Sequence, residues 1–491
     1  MKEERRLTPA LFLMRFSRRS ALFLSKPIGH SCVQGASKCH RAGSGKKFMM
    51  SKFVLGGLPK KFAGAGVALA ALAVPAALAT GPAAARTAAS SSFDGEIADF
   101  YRARGGAPLW LAPNAGAAAP QLLQLLSSVQ ADRLNPRRYN VRALQSAVAQ
   151  ARSGNPAAIQ RAEVLLSQAF VTYARDVRHD PGVGIIYVDQ ELKPTPPSPA
   201  ELLAAASRAP SLSSYVQQMG WMNPIYGKLR QAIASRLYRT PAEYRLLQLN
   251  LERARALPAG NGRYVIVNSP AARLYMYENG QVVDSMRVVA GRPDPIAQTP
   301  MMNAYMRFIA LNPYWNAPPD IAARKLAPNV LKRGRAYLNE KGYEIVDQFG
   351  ERARVLNPMS VDWKAVVAGR TEVHMRQKPG PANSMGRMKF MFPNQQGIWL
   401  HDTPEREKIE DAGRLESNGC VRLEDAPRFA RWLFNGRAPR AQGARPEQKV
   451  DLPQKVPIYL TYLTAVPSGT SIVYFDDFYG KDRAQARLAS R

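Results

Sequence analysis

Apolar positions follow two different periods along this chain, and the change falls near residue 260. Between about 93 and 256 the spacing is helical. In RAEVLLSQAFVTYARD, Leu166, Ala169, Phe170, Tyr173 and Ala174 fall at i, i+3, i+4, i+7 and i+8, one face of an amphipathic helix made for packing. Thr240-Pro241-Ala242-Glu243 is a capping box with proline at the first helical position, so a helix is predicted through Tyr244, Leu247 and Leu251. PTPPSP at 194–199 marks a loop. After Gly260 the runs RYVIVN, RLYMY and VVDSMRVV are β-rich, and Asn279-Gly280 joins the last two as a tight hairpin turn. YMRFIAL (305–311), GIWLH (397–401), VPIYLTYL (456–463) and TSIVYF (470–475) are further strand candidates. Residues of about 313–387, rich in Pro, Arg and Asn, break the pattern and read as an insertion or lid. The prediction is an α+β protein: a helical domain over 93–258, a mostly β domain over 262–480, and a tail over 481–491.

Composition narrows the class. With 491 residues, 46% apolar and 21% charged, the chain resembles neither a disordered nor a multi-span membrane protein. Its +31 charge suggests an anionic partner, but residues 1–61 hold 14 basic and 2 acidic side chains, so +12 of the excess sits in a short leader. That leader runs from Lys60-Lys61 into FAGAGVALAALAVPAALA, uncharged between Phe62 and Ala85 and ending in small-x-small sites. Basic start, apolar centre and small-residue cleavage site make residues 49–85 an expected secretory signal peptide. Residues 1–48 are set aside as an extension outside the fold. An uncleaved signal segment is the one membrane contact expected. Nucleic-acid binding is disfavoured by export and by the lack of a recognisable motif.

Export leaves Cys420 as the single thiol, because Cys32 and Cys39 lie in the leader region. It sits in Ser417-Asn418-Gly419-Cys420-Val421-Arg422, and His401 ends the apolar strand GIWLH upstream. A nucleophilic cysteine needs a base or a positive charge nearby, and histidine suits that task. Gly419 permits a tight turn that exposes sulfur and turns backbone N–H groups toward a developing oxyanion. Taken singly, each residue also has a structural reading, the cysteine as a small buried hydrophobe and the histidine as a strand-end residue. A metal site of His374, His401 and Cys420 is a third reading, but it lacks ligand spacing, so neither metal nor cofactor is expected.

The block RQKPGPANSMGRMKFMFPNQQGIWLHDTP (376–404) followed by RLESNGCVRLEDA (414–426) resembles the YkuD-type L,D-transpeptidases, in particular their large YcbB-like subclass. VVAGRPD (288–294) and NPYWNAPPDIA (312–322) add to the resemblance. It continues more weakly in FYRARGGAPLWL (100–111) and RLNPRRYN (133–140), similar to that subclass's helical scaffold. The resemblance implies a periplasmic, cofactor-free cysteine acyltransferase acting on peptidoglycan stem peptides. Cys420 attacks a donor tetrapeptide between diaminopimelate and terminal D-Ala, and the amine of an acceptor stem resolves the thioester. It further implies that His401 is the base, oriented by the backbone carbonyl of Asp402, and that the N–H groups of Gly419 and Cys420 hold the oxyanion. Ser417, Asn418 and Arg422 are implied at the substrate or its loop, and the 313–387 insertion caps the cleft with Trp315 and Trp399 as apolar walls. Two departures stand out. Asn418 occupies the position where relatives carry His or Ser, and the helix opened by Thr240 runs almost directly into the strand at Arg263, leaving no room for the peptidoglycan-binding module common in the subclass. The rivals are an L,D-carboxypeptidase or wall-protein-releasing hydrolase using the same thioester, and a non-catalytic wall-binding protein.

Overall fold

A computed structural model describes residues 93–260 and 262–489. The leader, with the expected signal peptide and with Cys32 and Cys39, lies outside the described residues.

The helical half is organised around the helix Pro156–Val177. Asn155 caps it, its side-chain oxygen accepting from the N–H groups of Ala157 and Ala158 at 2.9 and 3.2 Å, and Pro156 fixes the first turn. The predicted stripe is the packed face: Leu166, Phe170, Tyr173 and Ala174 are fully buried. Burying each large apolar side chain of this kind contributes about 1.5–3 kcal/mol. Two polar groups are buried among them. Glu163 accepts from the Tyr101 hydroxyl and from the backbone N–H groups of Leu109, Trp110 and Leu111, at 2.6–3.0 Å. Asp132 accepts from Tyr173 at 3.0 Å, Tyr226 at 2.7 Å and Arg230 Nε at 2.9 Å.

The β half is a sheet that closes on itself. Its strands are β1 (Tyr264–Asn268), β2 (Arg273–Glu278), β3 (Gln281–Gly291), β4 (Met302–Leu311), β5 (Met388–Met391), β6 (Leu400–His401), β7 (Val421–Leu423) and β8 (Gln448–Thr461). Neighbours run β4-β5-β6-β7-β3-β2-β1-β8, and β8 pairs back to β4 through Ile458↔Ala304 and Val450↔Ile309. Alternation along each strand separates inside from outside. Val265, Val267, Leu274, Met276, Val288, Ile309, Phe390, Leu400, Val421 and Ile458 fill one core, completed by Phe429, Ala430 and Leu433 of the helix Ala426–Leu433. The opposite, outer wall is shared. At one flank Tyr264, Ile266, Tyr277 and Tyr459 join the core of the helical half, so the two halves are packed through buried apolar surface.

The chain between β4 and β5 forms its own small sheet, Trp315–Asn316, His374–Gln377, Tyr343–Val346 and Val355–Leu356 in spatial order, with short helices and a separate core that includes Ile321, Leu338, Trp363 and Met375. The expected strands differ in extent. Strand β8 begins at Gln448, ahead of the apolar run at 456, because its first half alternates polar and apolar residues at the edge of β4. GIWLH yields only the two-residue β6, and β5 and β7 are strands too short to carry a period in the sequence. Residues Lys481–Ala489, expected as a tail, form a helix whose Asp482 pairs with buried Arg253 at 2.5 Å.

Candidate active site

Register places the chemistry on the outer wall. His401 of β6 lies opposite Lys389 of β5 on one side and Arg422 of β7 on the other. Leu400, Val421 and Phe390, which flank these residues, point into the core, so His401, Lys389 and Arg422 share the outer face. Cys420 immediately precedes β7, held to the neighbouring segment by the Val421 N–H donating to the Trp399 carbonyl at 2.9 Å. Its thiol is partly accessible, lies 3.6 Å from the Gly397 carbonyl, and receives the backbone N–H of Trp399 at sulfur.

The turn that presents the thiol is held from behind. Gly419 has φ of 108°, and a Cβ there would come within 2.9 Å of Ile398 Cδ1, so glycine is required. Its N–H donates to Ser417 Oγ at 3.2 Å, and Ser417 in turn donates to the Cys420 carbonyl. Thr299 Oγ1 donates to the Gly419 carbonyl at 2.8 Å and accepts the Gly291 N–H at 2.9 Å. Tyr479 donates to the Gly291 carbonyl at 2.5 Å. The Asn418 side-chain oxygen accepts from Arg292. With the Gly419 N–H used inside the turn, Cys420 N–H is the member of the expected oxyanion pair with no hydrogen-bond partner among the described residues.

His401 is buried, and its Nδ1 is 2.6 Å from the Asp402 carbonyl. That contact fixes the proton on Nδ1 and leaves Nε2 as the acceptor. The Asp402 carboxylate is occupied elsewhere, accepting from Arg406 at 2.9 Å and from the Arg387 N–H at 3.0 Å. Gly386 packs so closely on Asp402 that a Cβ would lie 2.5 Å from its carboxylate. Arg422, implied at the substrate or the loop, is paired with Glu405 and thus ties the segment after His401 to β7.

Electrostatics favour a neutral resting pair. Burial first, then the Arg422 guanidinium, pulls the His401 imidazole down to about 3 from its ordinary 6.5. Burial pushes the Cys420 thiol up, opposed by the Trp399 N–H, the Lys389 ammonium and Arg422. The sequence predicts that His401 raises the resting thiolate fraction. In the structure the imidazole is held uncharged, because Lys389 and Arg422, the two cations that stabilise a thiolate, also repel an imidazolium.

Lys389 was not singled out from the sequence. Its ammonium lies 4.7 Å from the centre of the Trp399 ring, has no ion-pair partner among the described residues, and is pushed down by burial. The signal available was a lysine within the apolar run Met388-Lys389-Phe390-Met391-Phe392, which looks like an ordinary edge charge. The backbone N–H of Trp399 reaches the Cys420 sulfur, and the Trp399 ring lies under the Lys389 ammonium. Trp315 belongs to the inserted sheet, pairs with Gln377, and sets its ring 6.1 Å from that of Tyr343. His374 also lies in that sheet, against Phe349.

Residues 262–448 match the L,D-transpeptidase catalytic domain (YkuD) family, and residues 95–233 match the Scaffold domain family. The chain is similar to a protein of Haemophilus influenzae named "Putative L,D-transpeptidase", 27% identical over 406 residues that cover 80% of this chain and 79% of the relative. Among solved structures it has a slight likeness to one titled "Structure of Bdellovibrio bacteriovorus Bd1075", with 12% identity, a TM-score of 0.16, and coverage of 47% of this chain and 56% of the other. With a helical Scaffold domain ahead of an L,D-transpeptidase catalytic domain (YkuD), the chain has the YcbB-like architecture of that family.

Proposed function

We propose that the protein is a periplasmic L,D-transpeptidase that links two diaminopimelate residues of neighbouring peptidoglycan stems through a thioester on Cys420. The observation that carries this reading is the partly accessible Cys420 thiol on the same wall as a buried, neutral His401 whose Nδ1 is fixed by the Asp402 carbonyl. His401 Nε2 takes the thiol proton as sulfur attacks the carbonyl between diaminopimelate and D-Ala. The C–S bond forms, the carbonyl oxygen becomes negative, and the free Cys420 N–H lies at its base. The C–N bond then breaks, and the imidazolium returns its proton to the departing D-Ala amine. The amine of the second stem attacks the thioester, loses its proton to His401, and expels the Cys420 sulfur. Lys389 and Arg422 stabilise the sulfur anion at both ends of the cycle. No cofactor or metal enters these steps.

The test is incubation of residues 86–491 with purified disaccharide tetrapeptide, followed by mass spectrometry. A transpeptidase gives diaminopimelate-to-diaminopimelate dimers with release of D-Ala. Shortened monomers alone would identify a carboxypeptidase. Unchanged substrate, together with no acylation of Cys420 by a carbapenem, would point to a wall-binding protein.

A further inference from the structure

A hollow of about 640 Å³ lies between the helix Pro224–Ala234 of the helical half and the outer wall of β1 and β2, away from Cys420. The hairpin turn at Asn279-Gly280 closes one end, where a Cβ on Gly280 would lie 3.9 Å from Pro224. Such a volume is within the usual range for ligand sites, and a junction between two domains is a usual place for one. Its floor is apolar, with Met222 and Leu463, and its wall includes Tyr277, stacked on Tyr264 with ring centres 4.6 Å apart.

The polar lining is solvent-exposed apart from its tyrosines and Asn268, whose amide is taken by the Leu463 backbone. Gln218, Lys228 and Gln231 reach it from the helical half, and Tyr275, Asn279 and Gln281 from the barrel. None of these six side chains has a hydrogen-bond or ion-pair partner among the described residues. Among the described residues no carboxylate lines the hollow, and Lys228 is the single charged side chain in it. Amides and phenols both donate and accept hydrogen bonds, which matches hydroxyl and acetamido groups, while tyrosine rings offer flat faces to the apolar side of a sugar ring.

We infer that this hollow binds a neutral, polyhydroxylated chain, an N-acetylated glycan, at a site separate from Cys420. Its chemistry follows from the lining alone. That the natural ligand is the glycan strand of the wall rests on the function proposed above. In that setting the site anchors the enzyme to a strand while the stem peptide reaches the thiol.

The test is calorimetric titration of the full chain with N-acetylglucosamine oligomers. Saturable binding is expected, with affinity lowered roughly tenfold or more in a Gln231→Ala, Gln281→Ala double variant and in Tyr275→Ala. Both glutamines are exposed, and folding is checked by unchanged carbapenem acylation of Cys420 in each variant. No binding by the wild-type chain, wild-type affinity in both variants, or binding restricted to an acidic oligosaccharide and abolished by salt would overturn the inference. Sugar binding without transpeptidation would count against the proposed reaction and leave this site standing.

Discussion

Buried ionisable groups occur in both halves of this protein, and the two halves treat them in opposite ways. In the helical half, Asp132 and Glu163 are saturated: three side-chain donors converge on the first, and a hydroxyl with three backbone N–H groups on the second. On the barrel's outer wall, buried His401 and half-buried Cys420 and Lys389 have fewer partners, and Lys389 has none of opposite charge among the described residues. A saturated buried charge locks a fold in one arrangement, because removing any partner strands the rest. An unsaturated one retains the capacity to bind or exchange a proton, and that capacity is what an active site requires.

The sharpest way to break this comparison is at the thiol. Cys420→Ala should abolish carbapenem acylation measured by intact-protein mass spectrometry, and His401→Gln should slow it by about 10²–10⁴ while the protein stays folded. An acylation rate for His401→Gln equal to wild type would remove the histidine from the site. Asp132→Ala should do the reverse, lowering stability in urea unfolding by about 3–5 kcal/mol with the acylation rate of the folded fraction unchanged. A midpoint that does not move would show that saturation is incidental.

Smaller effects sharpen the contrast. Gly419→Ala should lose about 1–3 kcal/mol from its left-handed backbone, with acylation falling further because the turn presenting sulfur must shift against Ile398. Lys389→Met should leave the melting temperature unchanged or higher, yet slow acylation about tenfold, because the negative charge that develops on sulfur as His401 takes its proton loses a stabilising cation. The smallest expected effect is an absence of change: wild-type acylation should vary less than about twofold from pH 7 down to about 5, without the inflection of an ordinary histidine. Over the same range stability should fall. The unfolded chain gains a proton on its histidine near 6.5, whereas the folded imidazole gains one only near 3, so folding is disfavoured as pH drops between those values.

The helical half was legible wherever one residue type repeated at one spacing. The stripe from Leu166 to Ala174 and the cap at Thr240 came directly from local rules, since a helix satisfies its own backbone and exposes its period in consecutive residues. The same stripe concealed Glu163, whose four donors come from residues more than fifty positions away. In the barrel, the hairpin at Asn279-Gly280 was legible for the same local reason. Strands of three or four residues, such as β5 and β7, were not, because their backbone partners lie on other segments and so few residues hold no period.

The candidate site divides along the same line. Residue identity alone nominated Cys420, His401 and Gly419, because few side chains can serve as nucleophile, base and left-handed hinge, and the surrounding motif tied them to one family. Only the tertiary structure set Lys389 across from His401, gave the Gly419 N–H to Ser417 and assigned Arg422 to Glu405. Those outcomes depend on strand register and on which face each residue turns outward. A one-residue slip in register would reverse them while leaving every letter of the motif in place.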